Sequence, residues 1–71
     1  MKIMNYREEV GRQLAELRIK KGMTTQQVAE NAGITSSNVG KIEQGRYNVG
    51  VDILGKVATA LGATIKIEET K

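Results

Sequence analysis

The side chains most used for proton transfer, nucleophilic attack and soft-metal binding are missing from this 71-residue sequence, which has no His and no Cys. The commonest general base and the strongest nucleophile are therefore absent. Disulfide and structural-zinc chemistry are closed as well. Asp52 is the only Asp, and the Glu residues recur at helical spacings that suit solvated faces. No enzyme, metal or cofactor is expected. What remains is the hydrogen-bonding chemistry of Ser, Thr, Asn and Gln, with 11 Lys and Arg against 8 Asp and Glu, a formal net charge of +3. That excess permits a nucleic-acid partner without requiring one.

Such polar groups act only from a scaffold, and length bounds the scaffold. Seventy-one residues make one domain at most. A core of this size seldom supplies more than about 3–5 kcal/mol. With disulfides and metals closed, helix packing and self-association are left, so an oligomer is expected on size alone. No apolar run approaches the about 18–20 residues needed to cross a membrane, and Met1-Lys2-Ile3-Met4-Asn5 lacks a signal-peptide core. The absence of Cys fits a reducing compartment.

There is no Pro and no repeat, and punctuation comes from eight Gly residues. Gly22, Gly33, Gly45 and Gly62 follow apolar-periodic stretches, where a left-handed residue ends a helix. A first helix is expected from Tyr6 to Lys20 or Lys21, capped by Asn5 with Glu8 reaching back. Tyr6, Val10, Leu14 and Leu17 form its apolar stripe. A second starts after Thr24, with Gln27 completing the box, and ends near Ala32. A third runs from after Thr35 to Gln44, with Val39 and Ile42 inward. A fourth starts after Gly50, with Asp52 in its first turn and Val51, Leu54, Val57, Ala58 and Leu61 as its buried stripe.

From Ala63 to Glu68 the period changes to two, with Ala63, Ile65 and Ile67 alternating against Thr64, Lys66 and Glu68. This reads as a strand. A lone strand needs a mate, which would be the same strand of a second copy or, as the lesser option, Met1 to Met4.

The informative segment is Met23 to Gly45. Two short helices meet at Asn31-Ala32-Gly33-Ile34, a connection tight enough to want positive φ at Gly33. Ala29 is small where the helices cross, and Ile34, Val39 and Ile42 fill the angle. This is a helix-turn-helix arrangement, whose second helix can enter a groove about 12 Å wide.

Around that segment lie Leu14, Leu17, Arg18, Gly22-Met23-Thr24, Val28-Ala29, Ala32-Gly33-Ile34-Thr35, Val39, Ile42-Glu43 and Gly45-Arg46. Asp52, Leu54, Val57-Ala58 and Ala60-Leu61-Gly62 continue the pattern. At these spacings the chain resembles the Cro/C1-type (Xre-like) helix-turn-helix regulators over roughly Val10 to Leu61. The resemblance implies an all-α, lambda-repressor-like four-helix domain over residues 1–71, here with a short C-terminal β-strand as a dimerisation tail at about 63–69. It also implies a cytoplasmic, nucleoid-associated protein with no membrane contact.

The resemblance assigns roles as well. Helix 3 becomes the recognition helix, with Ser36, Ser37, Asn38 and Lys41 facing bases. The chemistry agrees, since Asn pairs with adenine, Lys with guanine, and Ser with either. A solvated helix face is the plain alternative, and Asn38 can also pack partly against the body. Thr25, Gln26, Thr35, Arg46, Tyr47 and Asn48 are the implied phosphate ligands. The family's Gln directly after the helix 2 cap is Thr25 here, with Gln26 one place later. Arg18 and Glu43 match a buried salt bridge. Ile53, Ile65 and Ile67 are expected at a dimer contact, with Gly55 leaving a gap beside Ile53. Gly40, inside the recognition helix, admits helix 2 or a phosphate, and the sequence does not choose.

The reading that follows is a homodimer on a double-stranded DNA operator, repressing by occupancy because no effector domain follows in this sequence. A helix-turn-helix followed at once by a strand also resembles antitoxin repressors, which adds a protein toxin as partner. The alternative is a protein-interaction module that keeps the fold without DNA. A positive stripe along helix 3 and Arg46 separates the two, because a protein partner would suit a neutral face.

Overall fold

Side-chain caps mark where three of the four helices start. In the computed structural model, which describes residues 5–70, α1 spans Tyr6–Lys20, α2 Thr25–Ala32, α3 Ser36–Glu43 and α4 Val51–Ala60. The Asn5 Oδ1 accepts from the Glu8 N–H at 2.9 Å, and the Asn5 N–H donates to Glu8 Oε1 at 3.3 Å. Thr24 and Gln27 make the same reciprocal pair at 3.1 and 2.8 Å. Thr35 Oγ1 accepts from the Asn38 N–H at 3.1 Å. Each bond satisfies a donor that a helix start leaves open.

The connection between α2 and α3 is as tight as the sequence requires. Gly33 adopts φ 73° and ψ 31°, a left-handed conformation that costs a side-chain-bearing residue roughly 1–2 kcal/mol. The Ile34 N–H then donates to the Ala29 carbonyl at 3.0 Å and turns the chain into α3. Gly22, Gly45 and Gly62 also have positive φ.

Leu14 of α1, Val28, Ala29 and Ala32 of α2, Val39 and Ile42 of α3, Val57 of α4 and Leu61 just after it form one buried cluster. Val10, Leu17, Ile34 and Leu54 pack on its edge. No polar or charged side chain is buried among the described residues.

One close approach was not legible from the sequence. A side chain at Gly11 would run into the carbonyl oxygens of Ile42 and Glu43, the latter 2.7 Å from the position of a Cβ. Gly11 therefore lets α1 lie directly on the C-terminal backbone of α3.

Three expectations need correction. Tyr6, placed on the buried stripe of α1, is 85% exposed. It sits at the rim of a cleft lined also by Tyr47 and Val49, which do not cover it. Val51, placed on the stripe of α4, is 76% exposed, because that stripe runs past the body at its first turn. The third correction is the C-terminal β-strand at 63–69. Residues 61–70 have no regular secondary structure, and the described residues hold no strand. The Ala63 N–H donates to the Ala58 carbonyl at 2.8 Å, so the first residue of the expected strand closes α4 instead. Among the described residues the rest of the tail has no ladder partner, and strand hydrogen bonds need one. The lesser mate, Met1 to Met4, lies outside the described residues.

Gly11→Ala should lower stability by about 1–3 kcal/mol, although Ala favours a helix by about 1 kcal/mol over Gly. A downward shift of the urea midpoint reads this out. An upward shift would mean that α1 does not rest on α3.

Candidate nucleic-acid interface

The surface of interest starts from how α3 is fixed. Val39 and Ile42 are buried on its inner side, and its C-terminus is gripped by a charged fork. Arg18 Nε donates to Glu43 Oε2 at 2.7 Å, and its second guanidinium nitrogen donates to Oε1 at 3.1 Å. The third arm of the fork donates to the Met23 carbonyl at 2.9 Å. One side chain of α1 thus ties both the turn before α2 and the end of α3. The Arg18 and Glu43 side chains are 18% and 11% exposed, so the pair is part-buried rather than sealed. The hydrogen bond to Glu43, opposed by burial and aided by the Glu43 charge, raises the Arg18 pKa further above its ordinary range. Arg18 keeps its charge at any pH below that range.

With the inner side committed, the outer side of α3 carries Ser36, Ser37 and Lys41, all exposed. Asn38 is half-buried, as its position beside Val39 dictates, and its side chain lies at the margin of this face. Thr35, at the helix start, is exposed, but its hydroxyl is engaged by the Asn38 N–H. Arg46, Tyr47 and Asn48 follow in the loop after α3, all exposed. In the first turn of α2, Gln26 is exposed and Thr25 half-buried. The sequence missed Gln44. It is exposed at the C-terminal cap of α3 and its Oε1 accepts from Arg46 at 3.3 Å. Seven residues after Ser37, it falls on the same face, and that spacing was the available signal.

The electrostatics of this region are one-sided. Between Asn31 and Val51 the only carboxylate is Glu43, which Arg18 neutralises. Lys41 and Arg46 make no salt bridge among the described residues. Neither α2 nor α3 has an acidic residue in its first turn, whereas α1 has Glu8 and Glu9 and α4 has Asp52. The positive N-terminal ends of α2 and α3 are therefore left uncompensated by side chains.

The hydrophobic candidates are not assembled into one patch. Ile65, 49% exposed, borders a groove against Val10, Leu14 and Leu17 of α1. Ile67 is 95% exposed and Ile53 half-buried, and neither lines that groove. No described helix is long and apolar enough to cross a membrane.

Two short helices joined by a left-handed glycine, the second braced with its outer face open, define a helix-turn-helix unit. The chain belongs to the helix-turn-helix domain family, whose model matches residues 9–69, and it is a regulator of the Cro/C1 (Xre-like) type rather than an enzyme. Over 61 residues it is 36% identical to the uncharacterized HTH-type transcriptional regulator y4dJ of Sinorhizobium fredii (strain NBRC 101917 / NGR234), covering 86% of this chain and 79% of that protein. Among solved structures it is similar to the clp gene regulator ClgR from Corynebacterium glutamicum, with a TM-score of 0.84, 32% identity and coverage of 87% and 80% of the two chains. The restriction-modification controller protein C.AhdI from Aeromonas hydrophila matches with a TM-score of 0.76 and 38% identity, covering 79% of this chain and 85% of that one.

Glu43→Ala should destabilise the domain by about 2–3 kcal/mol, below the about 3–5 kcal/mol for breaking a fully buried pair. Arg18→Ala should be similar, and the double variant should be less destabilised than the sum of the two. Chemical denaturation of all four proteins measures the coupling, and strict additivity would show that the pair does not brace α3.

Proposed function

We propose that this protein binds double-stranded DNA sequence-specifically as a homodimer and represses by occupying its operator. The observation that carries the reading is the outward face of α3 and the loop after it, where Lys41 and Arg46 stand with no opposing carboxylate. A helix with its side chains is about 10–12 Å across, and a major groove about 12 Å wide admits it. In this docking Ser36, Ser37, Lys41 and Gln44 reach base edges, with Asn38 at the margin. Lys41 donates to guanine O6 and N7, and the Ser hydroxyls adapt to donors or acceptors.

Phosphates fix the register. The uncompensated N-termini of α2 and α3 attract them, with Thr25, Gln26 and Thr35 beside those termini. Arg46, Tyr47 and Asn48 extend the same contact along the backbone. A protein-interaction module would suit a neutral face, and the unopposed cations favour the duplex.

One domain covers one half-site, and two recognition helices about 34 Å apart would read half-sites one turn apart. Dimerisation through Ile53, Ile65 and Ile67 is supported by the exposure of Ile65 and Ile67. Occupancy is sufficient for repression, because a dimer seated on one stretch of duplex excludes other proteins from it. The antitoxin reading, with its protein toxin, drew on a paired tail strand. With residues 63–70 outside any ladder, it has no observation of its own, and we retain the plain repressor.

Selection from randomised duplexes should yield an enriched site with two half-sites. On that site Lys41→Ala should lose about 1–3 kcal/mol of discrimination at one base pair. Arg46→Ala should weaken specific and mixed-sequence duplexes alike and reduce the salt slope by about one. Unchanged binding in both variants would refute the docking.

Sedimentation equilibrium should report a dimer that Ile65→Lys with Ile67→Lys converts to monomer, with weaker operator binding. A wild-type monomer on a single half-site would overturn the homodimer.

A further inference from the structure

Most glycines of this chain have a visible reason. Four stand at positive φ, Gly11 lies against α3 backbone, and Gly50 caps α4. Gly40 and Gly55 have none of these reasons. Both lie inside helices at ordinary φ, and a Cβ built on either meets nothing within 4 Å. Gly is the poorest helix former after Pro, and α3 has only eight residues in which to tolerate it. Gly55 borders a depression with Glu30 and Asp52, away from the α3 face. Gly40 is different. It lies one turn from Ser36, Ser37 and Gln44, all exposed, so the missing side chain falls within the outward face itself.

We propose that Gly40 is a specificity-determining position that receives the C5-methyl group of a thymine. The inference rests on the docking of α3 in the major groove. The absent Cβ leaves a methyl-sized recess whose floor is the Gly40 Cα methylene and whose flanks are the positions of Ser36, Ser37 and Gln44. A purine N7 or O6, a thymine O4 or an exocyclic amine seated on that floor would gain no hydrogen bond from Gly40 itself. The thymine methyl needs only apolar volume. Of the groups on the major-groove edge, it is the one that asks no hydrogen bond of a residue without a side chain. Packing within the fold does not account for Gly40, as the open space beside it shows.

The test uses the full chain, its Gly40→Ala variant, the duplex enriched by selection and a mixed-sequence duplex. Gly40→Ala should raise Tm by about 4–8 °C, through the better helix former. It should weaken binding to the selected duplex by about tenfold while changing the mixed-sequence duplex less than about twofold. Thymine-to-deoxyuridine replacement, one position at a time, should find one thymine per half-site whose methyl is worth about fourfold in wild-type affinity. The same replacement should leave the affinity of Gly40→Ala unchanged. Unaltered affinity of Gly40→Ala for the selected duplex would overturn the inference while leaving the docking of α3 intact. So would a half-site in which no thymine methyl matters. Failure of the selection to enrich any duplex would overturn the docking and this inference together.

Discussion

The seating of α3 on α1 is the constraint from which the rest follows. An eight-residue helix has little stability of its own, since isolated helices below about 12–15 residues are marginal in water. Here α3 stands because Val39 and Ile42 are buried, because Gly11 lets α1 reach the carbonyls of Ile42 and Glu43, and because Arg18 holds the Glu43 carboxylate in a fork. All three contacts fall on the inner side. Ser36, Ser37, Lys41 and Gln44 on the outer side are exposed and take no part in that bracing. With the bracing confined to one side, a short helix is held rigidly with its other side open.

The same arrangement sets the electrostatics. Glu43 is the one carboxylate of the region, and the brace consumes its charge. The caps of α2 and α3 are threonines, which satisfy the open donors as Asp would but bring no negative charge to the helix ends. Structural needs are met by groups that leave the outward potential positive, and Lys41 and Arg46 add to it. The net charge of the whole sequence is only +3, yet Lys41 and Arg46 stand on this side without a carboxylate partner among the described residues. Position matters here more than the total.

Local chemistry was legible in the sequence, and tertiary contact was less so. Asn5, Thr24 and Thr35 mark their helix starts because capping is settled within three residues. Gly33 marks the turn because its conformation is a property of one residue. The Arg18–Glu43 pairing came from the family resemblance, whereas its partial exposure and its third bond to Met23 came from the structure. Tyr6 and Val51 were misread because periodicity reports which side of a helix a residue occupies, not whether anything faces it there. The tail was misread for a related reason. Alternation at Ala63, Ile65 and Ile67 signals two different faces, but a strand exists only with a partner, and α4 had already taken the Ala63 N–H as its cap. The role of Gly11 was hidden because a glycine shows what approaches it only once the neighbouring helix is in place.

The central claim is that the outer face of α3 meets the duplex. The most direct measurement is a backbone amide NMR titration of the labelled protein with the selected duplex. The largest shift changes should run through Ser36 to Gln44, the first turn of α2 and the loop at Arg46 to Asn48, leaving the middle of α1 unmoved. A titration that perturbs α4 and the tail while α3 keeps its free-state shifts would contradict the account.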